Sequence, residues 1–230
     1  MHDAARDARF WDRAARKYAR APIKDMAGYE RTLARTRELL AGADRVLELG
    51  CGTGTTALRL APAVRHFVGS DVSGEMIAIA REKAAAAACA NVEFVVAPAD
   101  RSEPSEAAFD AVLAFNLLHL VADRPATLRQ VTRLLKPGGL LISKTPCLTE
   151  LNPLIRLAVP VMRMVGKAPF VSFFSAAGLE RDIEQAGLTL VERDRHGAGR
   201  KDPRIFLVAR KSKAVPPMHP DRGHGEFPVR

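Results

Sequence analysis

"VLELGCGTGTTAL", Val46–Leu58, sets three glycines and a cysteine between two apolar runs. The first run, within Arg45–Leu49, reads as a strand, and Thr55–Leu60 reads as a helix. A strand that breaks into glycines and resumes as a helix is the layout of a nucleotide-binding turn. Glycine accepts positive φ and lets a ligand touch the main chain, while the helix N-terminus offers unpaired N–H groups. A phosphate loop is excluded, because no Gly-Lys-Ser/Thr follows. The dinucleotide fingerprint GxGxxG also fails, since Thr55 stands where its third glycine belongs. What remains is Gly50-x-Gly52-x-Gly54, preceded by Glu48.

The surrounding pattern alternates. A helix is expected over Phe10–Arg20, with Phe10, Ala14 and Tyr18 on one face and Trp11 and Ala15 beside them. Pro22 interrupts it, and "GYERTLARTRELLAG" resumes a helix that Gly42 ends. Strand-like runs follow: "RVLEL", "HFVGS" before Asp71, "VEFVV", "FDAVLAF" and "GGLLISK". Between them lie helical stretches at Thr55–Leu60, at Gly74–Ala88 with Ser73 as N-cap, and at Ala122–Leu135. Near-continuous apolar strands separated by helices imply a parallel sheet covered on both faces. After the helix in "SAAGLERDIEQAG", "LTLVERD" and "RIFLVARK" are joined by a link short enough for a hairpin, so one of them is antiparallel. The expected fold is a doubly wound, Rossmann-like α/β domain with a seven-stranded, mostly parallel sheet, one antiparallel strand and an N-terminal helical cover. Residues 1–44 form the cover, 45–144 the ligand-binding core, 145–187 an apolar lid and helix, and 188–211 the closing strands. Residues 212–230, rich in Pro, Gly and charge, are expected to be disordered.

The 230 residues are 47% apolar and 27% charged, with a net charge of +9, enough for one domain with a substantial core. The basic excess is spread along the chain, which reads as a solvated surface and makes nucleic acid an unlikely partner. Cys51, Cys89 and Cys147 are odd in number and lack metal spacing, so neither a disulfide framework nor a metal site is expected. No apolar run reaches the ~18 residues of a spanning helix and the N-terminus lacks a signal-peptide core, so a cytoplasmic location is expected.

"VLELGCGTG" closely resembles the cofactor motif of the class I S-adenosylmethionine-dependent methyltransferases, the group that includes the ubiquinone/menaquinone methyltransferases. "GSDVSGEMIAIAREKA" resembles the family's second-strand motif with its acidic end. "VVAPAD", "FDAVLAFNLLHLV" and "LLKPGGLLISK" resemble the third, the fourth and the turn into the fifth. The resemblance covers roughly Val46–Lys144. It implies S-adenosyl-L-methionine as cofactor and S-adenosyl-L-homocysteine as product, a ligand without phosphate. It places Glu48 and the loop of Gly50, Cys51, Gly52 and Gly54 at the amino acid end, and Asp71 at both ribose hydroxyls. Val72 and Met76 would supply apolar contact, Asp100 with the N–H of Ala99 would meet the adenine edge, and Asn116 the methionine part. Tyr18 would close over the cofactor. Plainer readings stand beside these. Asp71 also fits an Asx turn before Ser73, Asp100 a simple turn with Arg101 and Ser102, Met76 plain core, and Tyr18 with Trp11 the packing of an amphipathic helix. Cys51 reads as a small residue in a tight loop, since no base stands near it in sequence.

Methyl transfer from a sulfonium is an in-line displacement, for which the protein mainly brings the partners together without water. Where the acceptor must lose a proton, His119 in "NLLHLV" is the candidate base, with core packing as the alternative. His66 starts a strand, His196 sits in a turn, and His219 and His224 fall in the tail. Thr145–Phe174 is apolar, with Ile155, Leu157, Val159, Val161, Met162, Met164 and Val165, and suits a lid over a small hydrophobic or lipid-like acceptor. Arg156, Arg163 and Lys167 beside these positions would allow peripheral contact with an anionic membrane; a dimer interface or ordinary core fits equally, and the oligomeric state stays open. Other functions remain as alternatives: a non-catalytic S-adenosylmethionine-binding protein, or a nucleic-acid methyltransferase. The latter lacks the Asn/Asp-Pro-Pro-Tyr type motif, where "FNLLHLV" stands. A nicotinamide oxidoreductase is discouraged by Thr55.

Overall fold

The computed structural model describes residues 4–100, 106–150, 159, 162–164, 168–197 and 202–213. Two helices lead: α1 (Ala4–Arg20) and α2 (Met26–Leu39). Then come β1 (Arg45–Leu49), α3 (Thr55–Leu60), β2 (His66–Asp71), α4 (Gly74–Ala86), β3 (Val92–Val96) and β4 (Phe109–Phe115). The remaining elements are α5 (Arg124–Leu134), β5 (Leu135–Pro146), α6 (Ala176–Gln185), β6 (Leu188–Asp194) and β7 (Arg204–Lys211). Short polar residues start the helices: Asp25, Ser73, Asp123 and Ser175 each accept a hydrogen bond from a first-turn N–H.

The seven strands lie in the order β3-β2-β1-β4-β5-β7-β6. β7 runs antiparallel to both neighbours, β5 and β6, and the other pairings are parallel. The expected doubly wound sheet with one antiparallel strand is therefore the fold. Chain direction across the sheet reverses between β1 and β4, and ligands in such sheets collect beyond the carboxyl ends at that point. Boundaries moved where pairing overrode local pattern. β5 extends past Gly138–Lys144 at both ends, because Leu135 pairs with Phe109 of β4 and Pro146 with Arg204 of β7. Asp123 caps α5, which therefore starts at Arg124 rather than Ala122. Of the expected disordered tail, residues 214–230 lie outside the described residues, as do Ile155, Arg156, Leu157, Val161, Val165 and Lys167 of the expected lid.

Side chains alternate across a strand, and this decides what faces the site. Leu47, Leu49, Val112, Leu141 and Leu207 pack against α5 and α6 through Leu128, Val131, Leu179 and Ile183. Val46, Phe67, Leu113, Ile142 and Phe206 face the other way, against Leu33 of α2, Leu60 of α3 and Ile77 of α4. Two-residue spacing therefore sends Glu48, Phe115, Lys144 and Arg204 to the α2–α3 face. All four lie toward one edge of the sheet, since β7 is reversed. α1 lies on α4, where Ala15 packs with Met76 and Ile79, with Trp11 and Ala19 beside them.

Candidate active site

The turn after β1 is held by main-chain bonds. Cys51 N–H donates to Ser70 O at 2.9 Å. Gly52 N–H donates to Asp71 Oδ2 and Ser73 N–H to Asp71 Oδ1, both at 2.9 Å. Each Asp71 oxygen thus spends one lone pair on the backbone and keeps another for a ligand hydroxyl. Burial pushes the Asp71 carboxyl up, and the N–H groups of Ser73, Gly52 and Val72 pull it back. Gly52 has φ +53°, and a Cβ there would point into the space below Tyr18, 3.8 Å from Cε1. Gly54 serves packing: φ is +72°, and a Cβ would fall 2.7 Å from Phe94 Cζ and 2.8 Å from Ala80 Cβ.

A cavity of about 360 Å³ opens over this turn. It is lined by Tyr18, Gly50, Gly52, Asp71, Val72, Met76, Ala99, Asp100 and Asn116, so the residues expected at the cofactor come together, Glu48, Cys51 and Gly54 excepted. Trp11 and Asp7 of α1 complete one wall. α1 is clamped there: Ser73 Oγ donates to Asp12 Oδ1 at 2.6 Å, and Glu75 N–H donates to the same oxygen at 3.2 Å. Trp11 meets Tyr18 edge to face, with ring centroids 6.3 Å apart.

Glu48 is buried, and its Oε2 has no hydrogen-bond partner among the described residues. Burial, then the Asp71 charge, push its carboxyl up to about 8. The Cys51 thiol is pushed well above its usual range by burial first and then by Glu48 and Asp71, so it stays protonated. This fits the reading of Cys51 as a small loop residue.

A second cavity, of about 380 Å³, lies on the α2–α3 side and shares Tyr18, Phe115 and Asn116 with the first. Cys51, Asp25, Tyr29, Thr32, Lys144 and Arg204 are among its walls. Asn116 stands between the two with φ +52°, and its N–H donates to Lys144 O at 2.8 Å. Asparagine tolerates this left-handed conformation better than most residues.

His119 is not brought into either cavity. It sits in the turn after β4, where its carbonyl accepts the Ser172 N–H at 2.8 Å. Its Nδ1 is buried and unpartnered among the described residues, and burial pulls the ring down to about 4, so it is neutral. Reading the sequence missed Thr32, Lys144 and Arg204. Only Lys144 carried a signal, a charge at the end of an apolar strand, as Glu48 also is in "RVLEL". Among the described residues no group of three or more His, Cys, Asp or Glu could hold a metal, and no helix is long and apolar enough to cross a membrane.

Residues 46–139 match the family model described as a methyltransferase domain. The match runs from β1, through the glycine turn, into β5, so this stretch is similar to methyltransferase domains. The chain is 31% identical over 172 residues to the 27-O-demethylrifamycin SV methyltransferase of Amycolatopsis mediterranei, covering 71% of this chain and 63% of that protein. It is 36% identical over 100 residues to the ubiquinone/menaquinone biosynthesis C-methyltransferase UbiE of Geotalea daltonii, covering 41% of this chain and 42% of that protein. The fold matches the magnesium protoporphyrin IX methyltransferase (ChlM) from Synechocystis, solved with bound S-adenosylhomocysteine. The TM-score is 0.66 at 18% identity, over 90% of this chain and 96% of that one. The chain spans less than two thirds of the length of the curated relatives it matches, from 23% to 63%.

Proposed function

We propose that this protein binds S-adenosylmethionine in the first cavity and methylates a small-molecule acceptor received in the second. The observation that carries this is Asp71, fixed by two backbone N–H groups on the wall of a cavity whose glycine turn offers no phosphate cradle. A carboxylate so held suits two vicinal hydroxyls, and it leaves a ligand without them with an unpaired buried acid. The donor set fits the rest of the cofactor: apolar Val72 and Met76 for the nucleoside, Ala99 N–H and Asp100 for adenine. An incoming ammonium would give the unpartnered Glu48 Oε2 a donor and draw its carboxyl back toward the charged form. When bound, the cofactor supplies an activated methyl group.

The chain's own task is then alignment and exclusion of water. Tyr18, Phe115 and Asn116, shared by both cavities, stand where the two ligands would meet. Tyr29, Leu33, Ile23 and Phe115 give the second cavity apolar and aromatic surface, which supports a small hydrophobic acceptor. Exposed Met162 and Met164 around Arg163 support a contact of this segment with greasy or anionic surfaces, which co-sedimentation with anionic vesicles would test. The test of the main reading is calorimetric titration with S-adenosylhomocysteine and, separately, NAD+. The first binds and the second does not; the opposite pair of results overturns the proposal.

A further inference from the structure

Lys144 ends the run "LLISK" on the α2–α3 face, with 5% of its surface exposed. Its Nζ donates to Thr32 Oγ1 at 2.8 Å and to Gly28 O at 3.2 Å. Thr32 Oγ1 is in turn 3.1 Å from Nδ1 of His196, and His196 Nε2 is 3.3 Å from Asp194 Oδ2. The His196 side chain is 6% exposed and that of Asp194 59%, so the line runs from the wall of the second cavity to solvent. The imidazole is fixed from two sides. The ring lies against Phe206 of β7 with centroids 4.3 Å apart, and the residue's main-chain carbonyl accepts the Arg31 Nε–H at 2.9 Å. One set of hydrogens satisfies the whole line: Lys144 N–H to Thr32, the Thr32 hydroxyl to Nδ1, and Nε2–H to Asp194. Gly28 O, 2.8 Å from Thr32 Oγ1, is the hydroxyl's other acceptor.

Gly28 O and Thr32 satisfy the buried Lys144 Nζ, but the continuation through His196 to exposed Asp194 goes beyond what that cation needs. Resting on the methyltransferase reading, we propose that Lys144 is the general base of the second cavity: it takes the proton of an acidic hydroxyl on the acceptor, a phenol or an enol, while Thr32 and His196 relay that proton to Asp194 and water. The acceptor's O–H bond breaks as an N–H bond forms on the neutral amine, and the electron pair left on oxygen becomes the nucleophile. The ammonium then passes a proton to the Thr32 oxygen as Thr32 gives its own to Nδ1. His196 releases the Nε2 proton to the Asp194 carboxylate and solvent. Nothing is oxidised or reduced.

Two further observations support the assignment. Burial first, then the neighbouring Arg204, bring Lys144 down to about 8; Asp202 and Asp25 oppose this, and Arg31 adds to it. An amine of that strength is matched to phenolic and enolic hydroxyls near pH ~10 and below. An aliphatic alcohol is too weak an acid, and a carboxylic acid is ionised already. Tyr29 and Phe115 on the cavity walls suit the flat body of such an acceptor. His196 is itself pulled down by burial, against the upward pull of Asp194, so it rests neutral and able to receive a proton.

The probe is phenol, whose phenolate has its own ultraviolet band, added to protein loaded with S-adenosylhomocysteine at about pH 9, above the Lys144 value of about 8 and below the probe's own of ~10. The wild type binds it as phenolate. Lys144→Met retains S-adenosylhomocysteine affinity within about twofold but binds the phenolate at least ~tenfold more weakly. Equal phenolate binding by the two proteins overturns the proposal, whereas loss of S-adenosylhomocysteine binding by the wild type overturns the reading beneath it. Lys144 13Cε titration by NMR tests the relay. Thr32→Val moves the midpoint from its value of about 8, and Thr32→Ser restores it. A midpoint unmoved in Thr32→Val removes the relay from the account.

Discussion

The two cavities hold their polar groups by different means. In the first, Asp71 is fixed by the N–H groups of Gly52 and Ser73. In the second, Lys144 is held largely by a side chain, Thr32, itself in contact with His196. Main-chain donors cannot be changed by substituting their owner, so the hold on Asp71 is sensitive to the shape of its turn and little else. A site held by side chains can be retuned one residue at a time. The invariant half of a two-ligand reaction belongs in the first kind of site, and the variable half in the second.

The largest effect that would break this contrast comes from Gly52→Val. A β-branched side chain at φ +53°, pointing below Tyr18, should cost at least ~100-fold in S-adenosylhomocysteine affinity by calorimetry, while the Lys144 titration stays in place. A shared collapse of both would mean the cavities are one unit.

Glu48→Gln comes next. With its carboxyl raised to about 8 from 4.5, the folded state binds more protons than the unfolded chain between those values, so the wild type loses stability as pH rises through that window. Glutamine removes this loss. Urea denaturation above the upper value should show the variant more stable by an amount on the order of 3 kcal/mol, with weaker cofactor uptake. A variant less stable there would contradict the buried acid.

His119 gives a smaller and opposite pH effect. Its ring, lowered from 6.5 to about 4, stays neutral in the fold, so stability falls as pH drops between those values. His119→Gln should flatten that slope by roughly 2 kcal/mol in acid denaturation and change S-adenosylhomocysteine affinity by less than about twofold. The smallest effect is Ser73→Ala, which removes the α4 cap and the contact to Asp12. It should cost about 1 kcal/mol in thermal unfolding and alter the fluorescence of Trp11.

The fold was legible because its strands are near-continuous apolar runs, and even the reversed strand was announced by a short link before "RIFLVARK". The first cavity was legible for a related reason. Its residues follow β1, β2, β3 and β4, consecutive strands whose carboxyl ends share one edge of the sheet, and each carries a short local motif. The second cavity was not. Thr32 lies in α2, Lys144 at the end of β5 and His196 beyond β6, and they meet only because β7 inserts between β5 and β6. Arg35 of α2, paired with Glu192 of β6 at 2.7 Å, helps hold that meeting. His196 was passed over as a turn residue for the same reason, while His119, close to the motif in sequence, is among the walls of neither cavity.

The central claim is that Asp71 reads the ribose of a phosphate-free nucleoside. It is tested most directly by comparing S-adenosylhomocysteine with its 2′,3′-dideoxy analogue, on the wild type and on Asp71→Ala. The wild type should prefer the hydroxylated ligand by at least ~100-fold, and the variant should bind both alike. A preference that survives in Asp71→Ala would contradict the account.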